Sequence, residues 1–541
     1  MLGKQSFIKG ALILTAAGLT SRLIGAVFRI ALAALITDEG IGLYQMAYPI
    51  YTGLLAISTA GIPIAVSKLV SENIALNNYY GATRVFKVAL TLLTISGFII
   101  SLAMYLGADF VVTYISRDPR AYIPLVAMSP AIFFVAIMST FRGYFQGQQT
   151  MVPTGVSQII EQLTRVGIAL LLAVFLLPMG LEYSAAGATF GAVAGAIFGL
   201  LFLVYLYVKE KGYMAEKVRK QRIKERVSFR KVLYRIAQLA VPITIGSLIL
   251  PLINILDLII VPQRLHVAGF TTERATALYG QLTGMATPLA HIPAIITISL
   301  AVSLVPSISE ALTLNDYHLI RRNSNLAIRL TLILGMPAAL GLYVLAEPIT
   351  LLLFNNVEAA VPLRIIAFSV IFLTMYQTTT GILQGLGKPI LPVKNMGLGA
   401  LIKIIMGWTL TAIPQVNIQG AALATLVGFA ISSLLNLYQV KRDTGMRFDF
   451  NHHLLKPVLS VSVMGVAVYL SYNYLNMFFA DLYSPALSNA AATLISIGIG
   501  MIVYGAMLFI TGSITREDLQ RIPKLGPYLI RLANALHILR G

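Results

Sequence analysis

Cysteine is absent from all 541 residues, so the chain has no disulfide, no thiolate metal ligand and no cysteine nucleophile. Charged residues are also scarce, at 11% of the sequence, whereas a soluble domain carries about 25%. We find no GxGxxG, Walker A, HExxH or GxSxG arrangement in a suitable context, and the six histidines are scattered. The sequence therefore predicts no enzyme, no metal site and no cofactor.

Apolar residues are what the chain has in abundance. They make up 57% of the sequence, the mean hydropathy is +0.81, and uncharged apolar runs long enough to cross a bilayer recur from end to end. We therefore predict an all-α polytopic membrane protein with about fourteen transmembrane helices. The predicted spans are 7–35, 43–68, 84–107, 121–145, 157–180, 184–208, 233–262, 278–305, 325–346, 361–385, 394–413, 418–440, 456–476 and 487–511.

The positions of the basic residues predict the orientation. Forty Lys and Arg against 21 Asp and Glu give a net charge of +19, which in a soluble protein would suggest nucleic acid. In a membrane protein, Lys and Arg collect in cytoplasmic loops. With the N-terminus inside, about 28 of them fall in cytoplasmic segments and about 4 outside. We therefore expect both termini in the cytoplasm, the bilayer as a partner and no nucleic acid.

A basic stretch between the sixth and seventh spans divides the predicted helices. The expected organisation is two six-helix bundles, a linker, two extra helices and a tail that forms an interfacial helix among basic residues. The predicted bounds are 1–208 for the first bundle, 209–232 for the linker, 233–440 for the second bundle, 441–513 for helices 13 and 14, and 514–541 for the tail.

An internal repeat relates the two bundles. SENIALNNYY (71–80) matches SEALTLNDYH (309–318), and GYFQG (143–147) matches GILQG (381–385), both at a separation of 238. Six predicted helices separate the matches, so the repeats have the same topology and are related by an axis along the membrane normal. This pseudo-two-fold arrangement predicts a cleft for alternating access.

Charged residues inside predicted spans are the candidate substrate-binding residues, because charge at mid-bilayer is costly and usually functional. We select seven of them: Arg22, Arg29, Arg142, Glu161, Arg165, Asp257 and Lys403. One interpretation is internal pairing, such as Glu161 with Arg165 or Arg22 with Asp257. The cations outnumber the two deep carboxylates, however, and guanidinium groups match phosphate oxygens well. The surplus predicts a substrate that carries phosphate.

Two further features have both a packing and a functional interpretation. Gly187, Gly191, Gly195 and Gly199 recur every four residues, which is typical of close helix packing. The stretch FRGYFQGQQTMVPTGVSQIIEQ (141–162) is rich in Gln, Gly and Pro between two spans. It is either a cytoplasmic loop or a segment with a gating or substrate role.

The same stretch, together with GIPIAVSKLVSE (61–72) and SRLIGAVFR (21–29), resembles the stage V sporulation protein B family of the multidrug/oligosaccharidyl-lipid/polysaccharide exporter superfamily. The resemblance covers essentially the whole chain. It implies a fourteen-helix flippase for lipid-linked sugars in a bacterial plasma membrane, related to MurJ-type lipid II flippases. It also implies a functional role for arginines on helix 1, here Arg22 and Arg29.

The leading hypothesis is a flippase that moves lipid II, or a related lipid-linked pyrophosphate sugar, for cell-wall or spore-cortex synthesis. One alternative is a cation-coupled multidrug exporter, which predicts a dominant acid among few cations. Another is a scaffold that transports nothing and binds wall-synthesis enzymes. The resemblance leaves the location open between the vegetative and the forespore membrane.

Overall fold

The computed structural model describes residues 7–221, 228–446 and 449–513, with side chains from residue 13 onward except at position 249. Within these ranges the chain is helical and forms no strand. The α-helices are α1 Phe7–Thr59, α2 Ile62–Ala75, α3 Tyr79–Leu106, α4 Ala108–Phe110, α5 Tyr122–Met128, α6 Pro130–Gly147, α7 Val152–Leu176, α8 Leu181–Lys220, α9 Phe229–Ser247, α10 Ile249–Val267, α11 Thr272–Gly280, α12 Thr287–Thr313, α13 Tyr317–Val344, α14 Ala346–Phe354, α15 Ala360–Gly385, α16 Ile390–Leu410, α17 Asn417–Thr444, α18 Lys456–Ala480 and α19 Pro485–Ile510.

Thirteen stretches of the described residues are long and apolar enough to cross a membrane. The first, Ile13–Ala75, is 63 residues long and covers the second predicted span and the first one from residue 13 onward. Each of the other twelve predicted spans corresponds to one stretch. The chain is thus an all-α, multi-pass membrane protein, as the apolar runs predict.

Helix α1 joins the first two predicted spans through a kink at Thr37. Thr37 has φ 62° and ψ −179°, whereas the residues on both sides of it are helical. This φ is unfavourable for a β-branched residue, so the helix cannot continue straight through it. The connection predicted between the first two spans, residues 36–42, is therefore a sharp bend within one helix rather than a separate loop.

Proline accounts for two further breaks inside predicted spans. The fourth span is split into α5 and α6 immediately before Pro130, and the seventh into α9 and α10 at Leu248. Pro251 has no N–H for the carbonyl of Ser247, four residues earlier, and its ring crowds that carbonyl. Boundaries drawn from hydropathy alone do not include this backbone effect.

Helix α8 continues to Lys220, beyond the end predicted at 208. The added turns are stabilised by a salt bridge of 2.5 Å between Lys220 and Glu216, one turn apart. Residues 222–227 of the predicted linker, and the predicted tail helix at 514–541, lie outside the described residues.

The repeat is confirmed by backbone geometry at the same separation of 238. Asn77 and Asn315 both turn the chain with left-handed φ values, 56° and 55°. Gly143 allows α6 to approach α2, because an added Cβ would lie 2.7 Å from the carbonyl oxygen of Pro63. Gly381 does the same in the second repeat, where the Cβ would lie 2.6 Å from the carbonyl oxygen of Ala301. Residues 63 and 301 are also 238 apart, so the repeats share contacts as well as sequence.

The structure divides the chain into two compact units after Gly280. Helices α9, α10 and α11 lie in the first unit. In the second unit, α19 is bonded to α13. The hydroxyl of Tyr504 donates a 2.7 Å hydrogen bond to the carbonyl of Ile333. Both extra helices, α18 and α19, belong to the second unit. The bounds predicted for the two six-helix bundles stay a prediction.

Candidate functional site: a cationic and aromatic cluster on α1, α6 and α7

The glycine repeat of α8 sets the position of the charged helix α7. An added Cβ on Gly195 would lie 2.5 Å from the carbonyl oxygen of Glu161, and one on Gly191 would lie 2.6 Å from that of Arg165. No side chain fits at either place. The close-packing interpretation is confirmed, and the packing fixes the backbone that carries Glu161 and Arg165.

Arg142 on α6 pairs with Glu161 on α7. Its Nη2 lies 2.7 Å from Glu161 Oε2, and its Nε donates a 3.0 Å hydrogen bond to Ser157 Oγ. The Arg142 and Glu161 side chains are 15% and 22% exposed, so the pair is largely removed from water. The alternative interpretation, in which Glu161 pairs with Arg165, does not hold: Glu161 binds a cation on another helix, which sequence spacing within α7 cannot indicate.

Arg29 and Arg165 approach the same aromatic ring. Their Cζ atoms lie 5.4 Å and 5.6 Å from the ring centroid of Tyr48. Arg165 Nη2 also lies 3.5 Å from the hydroxyl oxygen of Tyr44, whose ring stacks on Tyr48 at 5.9 Å between centroids. In the part of the chain that the structure describes, neither arginine forms an ion pair with a carboxylate. Two half-buried cations thus share one ring and lack a neutralising anion.

The tyrosines of this cluster were not predicted from the sequence. Tyr44, Tyr48 and Tyr51 follow one another at intervals of four and three, a spacing that places them on one face of α1. The Tyr48 and Tyr51 ring centroids are 6.2 Å apart. The signal was present in YQMAYPIY, but an aromatic stripe at helical spacing is more often simple core packing.

Helix α7 also carries polar atoms that have no partner. Thr154 Oγ1 and Gln158 Oε1 are buried and, among the described residues, accept or donate no hydrogen bond. They lie one turn apart, on the same side of α7 as Glu161. Buried polar atoms without partners are costly, so these two atoms are exceptions on a well-packed helix.

The remaining predicted site residues lie elsewhere. Arg22 is exposed on α1, two turns before Arg29, and Asp257 is half-buried on α10. Lys403 is half-buried on α16 in the second unit, 238 residues after Arg165. Gly428 packs against the Cβ of Lys403 as Gly195 packs against the Cβ of Arg165. Lys403 is thus the counterpart of Arg165 in the second repeat. The cluster itself unites four of the seven: Arg29, Arg142, Glu161 and Arg165.

A second charged network lies beside the kink of α1. Asp118 is 1% exposed and accepts hydrogen bonds from Arg120 Nη2 at 2.8 Å and from Thr276 Oγ1 at 2.7 Å. Arg120 also forms an ion pair with Glu39, two residues after Thr37. The network ties α1 to α11 and to the loop before α5. Sequence reasoning missed it because its members are 81 and 158 residues apart.

No group of three or more His, Asp or Glu side chains in the described ranges could hold a metal ion. What the cluster does contain is two arginines on one aromatic ring, an arrangement that can bind an anion.

Comparison with known proteins gives the family. A family model described as "Polysaccharide biosynthesis protein" matches residues 7–312, more than half of the chain. The "Stage V sporulation protein B" of Bacillus subtilis (strain 168) is 31% identical over 530 residues, covering 98% of this chain and 100% of that protein. The chain belongs to the stage V sporulation protein B family.

Further similarity places the family in the exporter superfamily that the motifs indicate. The "Lipid II flippase MurJ" of Bacillus subtilis (strain 168) is 29% identical over 521 residues, covering 92% of this chain and 94% of that protein. A family model described as "MatE" matches residues 282–409. The members are membrane transport proteins rather than enzymes, as predicted.

Two solved structures share the fold. "Lipid II flippase MurJ, inward closed conformation" aligns with a TM-score of 0.63 at 17% identity, covering 94% of this chain and 100% of that chain. An inward-facing multidrug resistance MATE family transporter of the MOP superfamily aligns with a TM-score of 0.64 at 13% identity, covering 79% of this chain and 94% of that chain. At these identities the likeness concerns the fold alone.

Proposed function

We propose that this protein is a flippase that moves an undecaprenyl-pyrophosphate-linked peptidoglycan precursor, lipid II, or a related lipid-linked oligosaccharide from the inner to the outer leaflet. The observation that carries the proposal is the placement of Arg29 and Arg165 on one tyrosine ring, with no carboxylate paired to either arginine among the residues that the structure describes. A pyrophosphate supplies the missing negative charge and accepts several charge-assisted hydrogen bonds from guanidinium groups. The related MurJ of Bacillus subtilis is named as a lipid II flippase, which agrees with this substrate class.

In this proposal each part of the cluster has a separate role. Arg29 and Arg165 hold the pyrophosphate, and the exposed Arg22 meets it two turns away on α1. The Arg142–Glu161 pair fixes α6 against α7, so that α7 presents its polar face. Asp257 and Lys403 complete the proposed substrate-binding set.

The transport cycle that we propose is alternating access, for which two repeats of the same topology are a common architecture. The network of Asp118, Arg120 and Glu39 holds α1 and α11 together at the end that we assign to the outer face. Release of the substrate outward requires this network to open.

The membrane potential can drive the step without nucleotide. A pyrophosphate carries about two negative charges, and each gains roughly 2.3 kcal/mol per 100 mV on leaving an inside-negative cell if it crosses the full field. Coupling to Na⁺ or H⁺ through Glu161 or Asp257 is the weaker scheme. Glu161 already binds Arg142, which favours a structural role for this carboxylate.

The same pair argues against the multidrug-exporter alternative. That function calls for an acidic group available to a cationic drug, whereas the acidic member of this cluster is occupied by an arginine. A scaffold that transports nothing is tested by whether the cluster arginines are dispensable. We propose the plasma membrane or the forespore membrane as the location, both termini in the cytoplasm, and wall-synthesis enzymes as further partners.

The test is a translocation assay in proteoliposomes that contain the full chain and a defined lipid-linked pyrophosphate sugar, with and without an imposed potential. We expect protein-dependent translocation that becomes faster with the inside-negative potential. The variant Arg22→Ala/Arg29→Ala should translocate far more slowly, while the exposed control Arg322→Ala should keep the full rate. Equal rates in a well-folded double variant and the wild type would overturn the pyrophosphate proposal.

A further inference from the structure

A cavity of about 530 Å³ lies in the first unit, away from the arginine cluster. It lies among the end of α2, the start of α3, the end of α6 and the last turns of α8. Three lysines line it: Lys209, Lys211 and Lys217. The acidic residue in its lining is Glu210, so the walls carry a net positive charge. We refer to it as the α8 cavity.

Lys217 is held in place by two aromatic rings. Its Nζ lies 4.9 Å from the ring centroid of Tyr79 and 4.6 Å from that of Tyr213, and both rings line the cavity. Contacts of this kind fix a long flexible side chain at little cost in hydrogen-bonding capacity, because the ammonium keeps its N–H donors. The α8 cavity therefore has one positioned cation, Lys217, and two exposed cations, Lys209 and Lys211.

Part of the wall is apolar, beside the polar side chains of Gln148 and Thr150. Ile74, Phe145 and Met214 line the cavity together with the ring of Tyr144. A free inorganic anion makes no use of such a surface, whereas the glycerol backbone and upper acyl carbons of a lipid bury apolar area against it.

The cavity lies where α8 changes from apolar to charged residues. The sequence changes there from LLFLVYLYV to KEKGY, and Tyr205, Val208 and Tyr213 are 62%, 63% and 42% exposed. Exposed tyrosines followed by lysines are typical of the membrane–water boundary, the depth of lipid phosphates. The cavity is thus at the depth expected of a lipid phosphate, the group that its lysines can bind.

We propose that the α8 cavity binds the phosphate-bearing headgroup of an anionic membrane lipid. The phosphate contacts Lys209, Lys211 and Lys217, and the first apolar carbons contact the wall formed by Phe145 and Met214. A bound lipid also bridges the connections after α2 and α6. The end of α8 already contacts the start of α3, because Gln221 Oε1 accepts a 3.0 Å hydrogen bond from the backbone N–H of Tyr80. This site is separate from the proposed substrate path and does not depend on what the protein transports.

The test measures lipid binding to the full chain by native mass spectrometry, with phosphatidylglycerol and zwitterionic phosphatidylcholine of the same acyl chains. We compare the wild type with Lys209→Gln/Lys211→Gln/Lys217→Gln, and with Lys231→Gln/Lys394→Gln/Lys441→Gln as the control. The control removes three lysines that do not line the cavity. We expect the first triple variant to bind phosphatidylglycerol about tenfold more weakly or worse, given the attraction of each lysine to an anionic lipid, and the control to match the wild type.

Equal phosphatidylglycerol binding by the cavity variant and the wild type would overturn the proposal. An equal loss of phosphatidylglycerol binding in the control variant would also overturn it, because the lipid would then respond only to the net charge of the protein. Inorganic phosphate is the second arm: if it displaces phosphatidylglycerol at equal concentration, the site is for free phosphate and the lipid assignment is wrong. If the triple variant does not fold, Lys209→Gln/Lys211→Gln replaces it, because this variant keeps the Lys217 contacts with both tyrosines.

Discussion

Gly42 and Gly280 hold the same position in the two repeats, 238 residues apart, and they contact each other inside the first unit. A Cβ added to Gly280 would lie 2.8 Å from the backbone nitrogen of Gly42. The contact is reciprocal, because a Cβ on Gly42 would clash with the carbonyl oxygen of Thr276, and one on Gly280 with that of Asp38. Residues 38 and 276 are also equivalent in the repeat. A contact of equivalent residues with each other is what a two-fold axis produces.

This contact leads to the first prediction, for Gly280→Ala. The added methyl group clashes with backbone atoms, which cannot move aside as a flexible side chain does. We expect α1 and α11 to separate at the end that carries the Asp118 network, and the translocation rate to fall at least about tenfold, which corresponds to about 1.4 kcal/mol.

The readout for the separation is labelling of a single cysteine introduced as Gln45→Cys into the naturally cysteine-free chain. Gln45 is 8% exposed, so labelling by an impermeant maleimide should be slow in the parent and faster in Gly280→Ala. Gly498→Ala serves as the control, since no atom lies within 4 Å of its added methyl group. Unchanged labelling with Gly280→Ala would show that the glycine contact does not hold this end closed.

The second prediction concerns Asp118→Asn. The carboxylate is buried and accepts hydrogen bonds from Arg120 and Thr276, so the neutral amide loses a charge-assisted bond and places N–H donors against Arg120. We expect the free energy of unfolding to fall by about 1–3 kcal/mol, measured by thermal unfolding in detergent. The exposed Asp109→Asn should change stability by no more than about 0.5 kcal/mol. Equal effects of the two substitutions would contradict the structural role of Asp118.

The third prediction is a double-mutant cycle across the Arg142–Glu161 pair. Each single variant, Arg142→Gln or Glu161→Gln, leaves its partner's charge largely buried, so the two losses of stability should not add. We expect a coupling of about 1–2 kcal/mol after allowing for the residual exposure of both side chains. A parallel cycle on the exposed pair Arg364–Glu347 provides the comparison and should give a smaller coupling. Additive losses at positions 142 and 161 would mean that the pair does not join α6 to α7.

The fourth prediction separates the ring of Tyr48 from its hydroxyl. Tyr48→Phe keeps an aromatic face for Arg29 and Arg165, whereas Tyr48→Leu removes it. Binding of the pyrophosphate-linked substrate should weaken by about 0.5–2 kcal/mol in the leucine variant and by clearly less in the phenylalanine variant. Equal affinity in both variants, measured by titration in detergent, would show that the aromatic face does not position the arginines.

The helices could be predicted from the sequence, because a bilayer requires long apolar runs. The repeat could be predicted as well, because turns at equivalent positions in the two repeats contain the same residues. SENIALNNYY and its partner contain Asn77 and Asn315, the two asparagines that turn the chain with left-handed φ. The kink at Thr37 could not be predicted, since nothing in the local pattern distinguishes a bend from a loop. The break before α10 follows from Pro251, whose effect is on the backbone and not on hydropathy.

The sequence predicted which charged residues belong to the candidate site, but it did not predict which of them pair. The excess of cations over carboxylates directed attention to the arginines, and four of the predicted residues do come together. Spacing along α7 suggested Glu161 with Arg165, yet the partner of Glu161 is Arg142 on a different helix. Tyr48 and Asp118 were missed because their partners are distant in sequence, and only the packing of α1 against its neighbours brings them together.

The central claim is that Arg29 and Arg165 bind a pyrophosphate, and equilibrium binding tests it most directly. The measurement compares a polyprenyl-pyrophosphate-linked sugar with a matched neutral lipid-linked sugar, for the wild type, Arg29→Gln/Arg165→Gln and the control Arg322→Gln. We predict that the wild type and the control prefer the pyrophosphate lipid strongly, and that the double variant loses this preference while its affinity for the neutral lipid stays the same. An unchanged preference in the folded double variant would contradict the claim.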